Sequence, residues 1–235
     1  MADTLTPPQP TLRMHLFDAS GGLGYHLRAL HHRRTLWAPF IAQVATWLDS
    51  WHVPTTHLVI VGPSAGYTLN EGFLQRFDRV TVLEPDPLAR FLLRQRFPRI
   101  RMDCETLDCL SAGNGPQWLA QCYPDASILF TNVLGQSPAL STLPRWMDEL
   151  RTALAGHFWA SWHDVLSATT PPLADGDRPL EPANTLPELA GRCWRWPTEV
   201  CDHDSFGLVG RQEGLALWHL APGQWQIVEW GTHSP

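Results

Sequence analysis

The chain has 235 residues, 44% of them hydrophobic, and a formal net charge of −6. That apolar content can bury a sizeable core, which excludes a disordered body, and a mild acidity with no long basic run argues against a nucleic-acid partner. All 17 basic side chains other than histidine are arginine, and the absence of lysine excludes Schiff-base, phosphate-loop-lysine and Ser–Lys chemistry.

Residues 1–11 are Pro-rich and polar, which predicts a mobile tail. Leu12 to Phe17 reads as a short extended piece, followed by a turn at Asp18 to Gly22. The segment Asp18 to Trp37 carries Tyr25, His26, His31, His32, Arg33 and Arg34. These residue types suit an anionic or aromatic ligand, or simply a polar helix face with aromatic anchors. Apolar residues from Leu36 to Trp51 recur at helical spacing, with Pro39 placed for a first turn.

The stretch from His57 to Glu84 carries the most information. An apolar run, Leu58 to Val61, breaks into Gly62-Pro63-Ser64-Ala65-Gly66. A helical piece near Leu69–Phe77 follows, and a second run, Val80 to Leu83, ends on Glu84. A strand–turn–helix–strand unit with glycines in the turn and an acid ending the second strand is the layout that cradles a nucleotide-like ligand. Pro87 then opens a helix through Arg94. Ile100 to Met102 reads as a third strand delivering Asp103, and Ser127 to Thr131 as a fourth leading into Asn132 and Gln136. A helix over Pro144–Leu154 and a fifth strand, His157 to Trp162, precede His163 and Asp164. Ser167 to Pro187 is a long Pro/Asp/Thr-rich loop of the kind that covers a site. Leu215–Leu220 and Trp225–Trp230 flank a Pro-Gly turn and read as a β-hairpin. Most of the 12 tryptophans are expected in core packing.

The five cysteines, Cys104, Cys109, Cys122, Cys193 and Cys201, match no compact Cys/His signature, so no metal is expected. The N-terminus lacks a signal-peptide pattern, and no run approaches the roughly 18 apolar residues of a spanning helix. Reduced thiols in the cytoplasm, with no membrane partner, are the expectation.

Over roughly residues 55 to 230 the alternation of strands and helices resembles the seven-stranded, Rossmann-like (class I) S-adenosylmethionine-dependent methyltransferases. The resemblance implies an α/β fold: a mostly parallel seven-stranded sheet, helices on both faces and a C-terminal antiparallel hairpin. One domain would span residues 12–235, with residues 12–55 as a helical cover. It further implies S-adenosylmethionine as cofactor, with Gly62, Ser64 and Gly66 along its methionine part, Glu84 on the ribose, Asp103 on the adenine and Asn132 beside the methyl donor. The acceptor would be a small molecule or a protein. Because methyl transfer is an in-line displacement, a base is needed only to deprotonate the acceptor, and His163 with Asp164 is the candidate pair. That histidine could equally hydrogen-bond the strand end.

Two other readings stay open. Pro63, Ser64 and Ile60 depart from the family's glycine-loop pattern and fit a catalytically silent binding or scaffold protein. Gly62 to Gly66 also fits G-x-S-x-G, which would make Ser64 a hydrolase nucleophile served by Asp164 or Asp175 and His203 or His219. The sheet that should precede such an elbow is missing.

Overall fold

A computed structural model describes residues 22–105, 107, 109–110, 115–134, 146–195 and 197–235. The expected tail, the extended piece over 12–17 and the turn up to residue 21 lie outside them, as does Gln136.

Two helices precede the first strand: α1 (Gly22–His32) and α2 (Ala38–Ser50). Pro39 lies in the first turn of α2, where its missing N–H costs no hydrogen bond. Phe40, Val44, Trp47 and Leu48 form its buried stripe. Strand β1 (His57–Val61) leads through one short turn of helix, α3 (Glu71–Leu74), to β2 (Arg79–Leu83). Asn70 caps α3 by accepting the Phe73 N–H at 2.7 Å. Asp86 caps α4 (Pro87–Arg96), accepting the Leu88 N–H at 2.8 Å ahead of Pro87 in the first turn. Then come β3 (Met102–Glu105), α5 (Gly115–Cys122), β4 (Ser127–Thr131), α6 (Trp146–Ala153) and β5 (Trp159–Ala168). The chain closes with α7 (Leu186–Cys193), β6 (Val200–Asp202), β7 (Gly214–Ala221) and β8 (Gln224–His233).

The strands form one sheet in the order β3-β2-β1-β4-β5-β8-β7, with β6 also paired to β5. From β3 to β5 every pairing is parallel, and β8, β7 and β6 are antiparallel additions. This is the Rossmann-like arrangement with a terminal antiparallel hairpin. The described residues hold eight strands rather than the expected seven. The eighth arises because β5 runs ten residues: its first half lies against β4 and its last three positions against β6.

Both faces of the sheet are covered, so β1 is apolar after His57: Leu58 and Ile60 join the core beneath α2, α3 and α4, while Val59 and Val61 join the one beneath α5 and α6. Under α2, Trp218 stacks on Phe40 with centroids 4.7 Å apart and meets Trp37 edge-on at 5.1 Å. A third cluster packs α7 against β5, β7 and β8. The 169–185 segment is thus held down: Leu180 bridges Leu215, and Leu173 donates to the Cys193 carbonyl. Among the described residues no helix is long and apolar enough to cross a membrane.

Candidate functional site

The turn after β1 is built on left-handed backbone. Gly62 and Gly66 both have φ +65°, and Ser64 has φ 51°. The Gly62 N–H donates to the Leu83 carbonyl at 2.9 Å, tying the turn to the end of β2. A Cβ on Gly62 would lie 2.1 Å from Val133 Cγ1, and one on Gly66 would lie 2.5 Å from Leu93 Cδ1. Side chains of this chain already occupy both positions.

Glu84 leaves the end of β2 and turns back over that loop. It is only 6% exposed. One carboxylate oxygen accepts the Ser64 N–H at 2.7 Å and the other the Asp86 N–H at 3.0 Å. Burial pushes its pKa up to about 7, against the pull of those two N–H groups and Arg90. Arg90 donates to the Glu84 carbonyl at 2.6 Å and so fixes the strand end.

Helix α1 lies across this edge of the sheet. Its buried His26 meets the Tyr67 hydroxyl at 3.0 Å through Nδ1 and sits 3.5 Å from Asp86 Oδ2 through Nε2. Neither His26 Nε2 nor Asp86 Oδ2 has a hydrogen-bond partner among the described residues. Tyr25 is partly buried within electrostatic reach of Glu84, and desolvation with the neighbouring Tyr67 raises its pKa. At the other end of the edge, Arg28 donates to Gln224, the first residue of β8, at 3.0 Å. The helix therefore spans from the β1 turn to the terminal hairpin.

Asn132 follows β4 with φ 56°. Its N–H donates to the Trp162 carbonyl at 2.7 Å, and its Oδ1 accepts the Asp164 N–H at 2.8 Å. Around Asp164 the chain gathers three more polar side chains. Gln226 donates to Asp164 Oδ2 at 3.0 Å, His203 Nε2 lies 3.7 Å from the same oxygen, and Ser205 Oγ donates to the Asp164 carbonyl at 2.6 Å.

Two expected positions need correction. Asp103 does not lie beyond β3: the strand runs Met102–Glu105, Asp103 pairs with Thr81, and its side chain reaches Arg79 at 3.4 Å. The strand ends instead on Glu105, which accepts the Tyr123 hydroxyl at 2.6 Å. His163 and Asp164 do not follow β5 but lie inside it, paired with Glu229 and Val228 of β8, and both are fully buried. Successive strand residues face opposite sides, so the two are not a pair. His163 is sealed between Ser161 Oγ at 3.0 Å and Glu229 at 3.4 Å. Burial alone would raise the Glu229 pKa, but His163, Gln212 and the Gly207 N–H together hold it below the usual value.

The imidazole beside Asp164 is His203, which sequence reasoning placed there only in the hydrolase reading. Its side chain is 20% exposed, and its Nε2 also meets Ser167 Oγ at 2.9 Å. One ring nitrogen faces both serine and acid, unlike a triad, in which the two nitrogens divide those roles. Ser64 is not part of this cluster, and its N–H goes to Glu84. His219 instead stacks on Trp225 at 3.5 Å. Among the described residues no three metal-ligating side chains converge. Nothing in the sequence pattern signals the contacts of His26 with Tyr67 and Asp86; Tyr25 and His26 are two of the six residues of that segment whose types suit a ligand or a polar helix face.

No protein-family model matches the chain, and no curated protein matches it. Among solved structures it is similar to a SAM-dependent methyltransferase from Anabaena variabilis ATCC 29413, at 14% identity over 94% of this chain and 97% of that one, TM-score 0.49. It is also similar to the N-methyltransferase NodS from Bradyrhizobium japonicum WM9 in complex with S-adenosyl-L-homocysteine, at 13% identity over 86% and 89%, TM-score 0.43. A third is magnesium protoporphyrin IX methyltransferase (ChlM) from Synechocystis PCC 6803 with bound SAH, at 13% over 93% and 91%, TM-score 0.42.

Proposed function

We propose that the chain binds S-adenosylmethionine at the carboxyl edge of its sheet and transfers the methyl group to a small-molecule or protein acceptor. The observation that carries this reading is the carboxylate of Glu84, set at the end of β2 within hydrogen-bond distance of the glycine turn after β1. Ligands of open α/β sheets sit at this edge, and an acid at this strand end accepts ribose hydroxyls. Beside it His26 Nε2 and Asp86 Oδ2 face each other at 3.5 Å without a hydrogen bond, a polar pair that could turn to a nucleoside.

When bound, S-adenosylmethionine supplies an electrophilic methyl group on a sulfonium. Glu84 holds the ribose, the backbone of Gly62, Ser64 and Gly66 borders the methionine part, and Asn132 orients groups at the end of β4. Asp103, engaged by Arg79 inside β3, drops out of the set. On the acceptor side His203 takes the place first given to His163: it is partly exposed and lies 3.7 Å from Asp164 Oδ2.

The filled space beside Gly62 and Gly66 favours a second reading, a catalytically silent fold of the same type. Calorimetric titration of S-adenosylmethionine and S-adenosylhomocysteine into wild type and Glu84→Ala separates the two. Micromolar binding lost in the variant supports the enzyme. No heat with either ligand favours the silent fold.

A further inference from the structure

Most arginines near this part of the fold have evident partners. Arg79 reaches Asp103, Arg99 reaches Glu71, and Arg76 and Arg90 donate to backbone carbonyls. Arg33 and Arg96 differ. Arg96, the last residue of α4, holds its guanidinium 5.3 Å from the centroid of the Tyr67 ring and 6.0 Å from that of Phe97. Arg33, one residue beyond α1, lies within electrostatic reach of both Tyr67 and Arg96. Both arginines are partly buried, and among the described residues no carboxylate makes an ion pair with either.

Two neighbouring cations partly withdrawn from water repel one another, and the arrangement is relieved by an anion between them. The Tyr67 and Phe97 rings lie beside the Arg96 guanidinium, whose planar fork of N–H donors is rigid. A carboxylate or phosphate matches that fork in a bidentate fashion. The Tyr67 hydroxyl is turned to His26, leaving its ring as a platform.

We propose that Arg33 and Arg96 form an oxyanion-binding site over the ring of Tyr67, between α1 and α4, which takes the carboxylate or phosphate group of a small ligand. The site does not depend on methyl transfer. It lies beside the residue that follows the glycine turn and joins the cover helix to the body of the fold.

The test uses full-length wild type, Arg33→Gln and Arg96→Gln. Thermal unfolding and calorimetry compare sodium phosphate and succinate with sodium chloride at matched ionic strength. Phosphate or succinate should stabilise wild type beyond chloride, and each substitution should weaken the apparent affinity about tenfold, the scale of one lost charge-assisted hydrogen bond. In chloride alone Arg33→Gln should unfold at the same temperature as wild type or higher, because a repulsion is removed. That arm keeps the test valid if Arg96→Gln disturbs packing against Phe97. Equal responses to phosphate, succinate and chloride, or variants that respond as wild type does, would overturn the proposal.

A last arm compares S-adenosylhomocysteine, which carries a methionine carboxylate, with methylthioadenosine, which lacks it. Weakening of the first alone in both variants assigns the anion to the amino-acid end of the cofactor. Unchanged binding of both, with weakened phosphate or succinate, assigns it to a separate ligand. If neither nucleoside binds wild type, the cofactor reading fails while the phosphate and succinate arms still decide this one.

Discussion

The Glu84 carboxylate accepts the backbone N–H of Ser64 at 2.7 Å, and this contact joins the end of β2 to the turn after β1. It places a buried acid against the one turn among the described residues with three alternate positions, Gly62, Ser64 and Gly66, in left-handed backbone. The same atoms can serve a ligand or close the loop on itself, and the two uses differ in pH dependence and in response to substitution.

Glu84 titrates near pH 7 in the folded chain against 4.5 for the free side chain, so the folded state binds the extra proton between those values. Its ionisation therefore destabilises the fold progressively as pH rises through that window, with no effect below it and the full effect above. Urea unfolding of wild type and Glu84→Gln at about pH 5 and about pH 8 should show the variant gaining relative stability at the higher pH. A difference that does not change with pH would mean that Glu84 ionises normally.

If ribose hydroxyls donate to ionised Glu84, affinity for S-adenosylhomocysteine should rise with pH and level off above about 7. The slope below that point should approach about tenfold per pH unit, with one proton released on binding. Titrations in buffers of different ionisation enthalpy measure that proton. A flat profile in wild type would remove Glu84 from the cofactor site.

Gly66→Ala adds a Cβ 2.5 Å from Leu93 Cδ1 and 2.8 Å from Phe97 Cε2, at a φ of +65°. Overpacking of this kind should cost about 1–3 kcal/mol, with left-handed strain added to it. Denaturant unfolding measures the loss. An unaffected midpoint would show that the packing of α4 against the turn is looser than these distances imply.

His163 and His203 should separate cleanly. Replacing His163 by Ala leaves the buried Glu229 only Gln212 and the Gly207 N–H and opens a cavity inside β5, and should cost about 2–4 kcal/mol. His203→Gln, whose amide can still meet Asp164 or Ser167, should change stability by under about 1 kcal/mol. On an acceptor found by screening, it should nonetheless slow methyl transfer. The reverse pattern would return the acceptor-side role to His163.

His26→Phe removes the contact with Tyr67 and leaves Asp86 facing a ring. The loss of a buried hydrogen bond should cost about 1–3 kcal/mol and loosen α1 from the sheet. Hydrogen exchange across Gly22–His32 should quicken selectively, whereas a uniform change would place the effect on global stability.

Leu58–Val61, Val80–Leu83 and Ser127–Thr131 were legible as strands because a parallel strand buried on both faces is a near-continuous apolar run, broken here only by the small hydroxyl side chains of Thr81, Ser127 and Thr131. Pro87 announced a helix start as a first-turn residue with no N–H to satisfy. The hairpin followed from two apolar runs about a Pro-Gly turn. Gly62, Ser64 and Glu84 could be marked as one group because each lies at a strand end set by that local pattern.

The tertiary structure alone decided the length of β5 and the company of its polar residues. Ser161, His163 and Asp164 read locally as the end of a strand, yet Glu229 and Gln226 from β8 satisfy them inside the sheet. Three residues of β6 carry too little pattern to announce a strand, and only the free half of β5 gives them a partner. The approach of His203 to Asp164, and of Arg96 to the ring of Tyr67, depends in the same way on pairing and packing between distant segments. Backbone preference and apolar periodicity act over a few residues, so the sequence by itself determined the elements and the acid at the glycine turn. Which polar side chains meet is a property of register and helix packing, and only the folded chain has those.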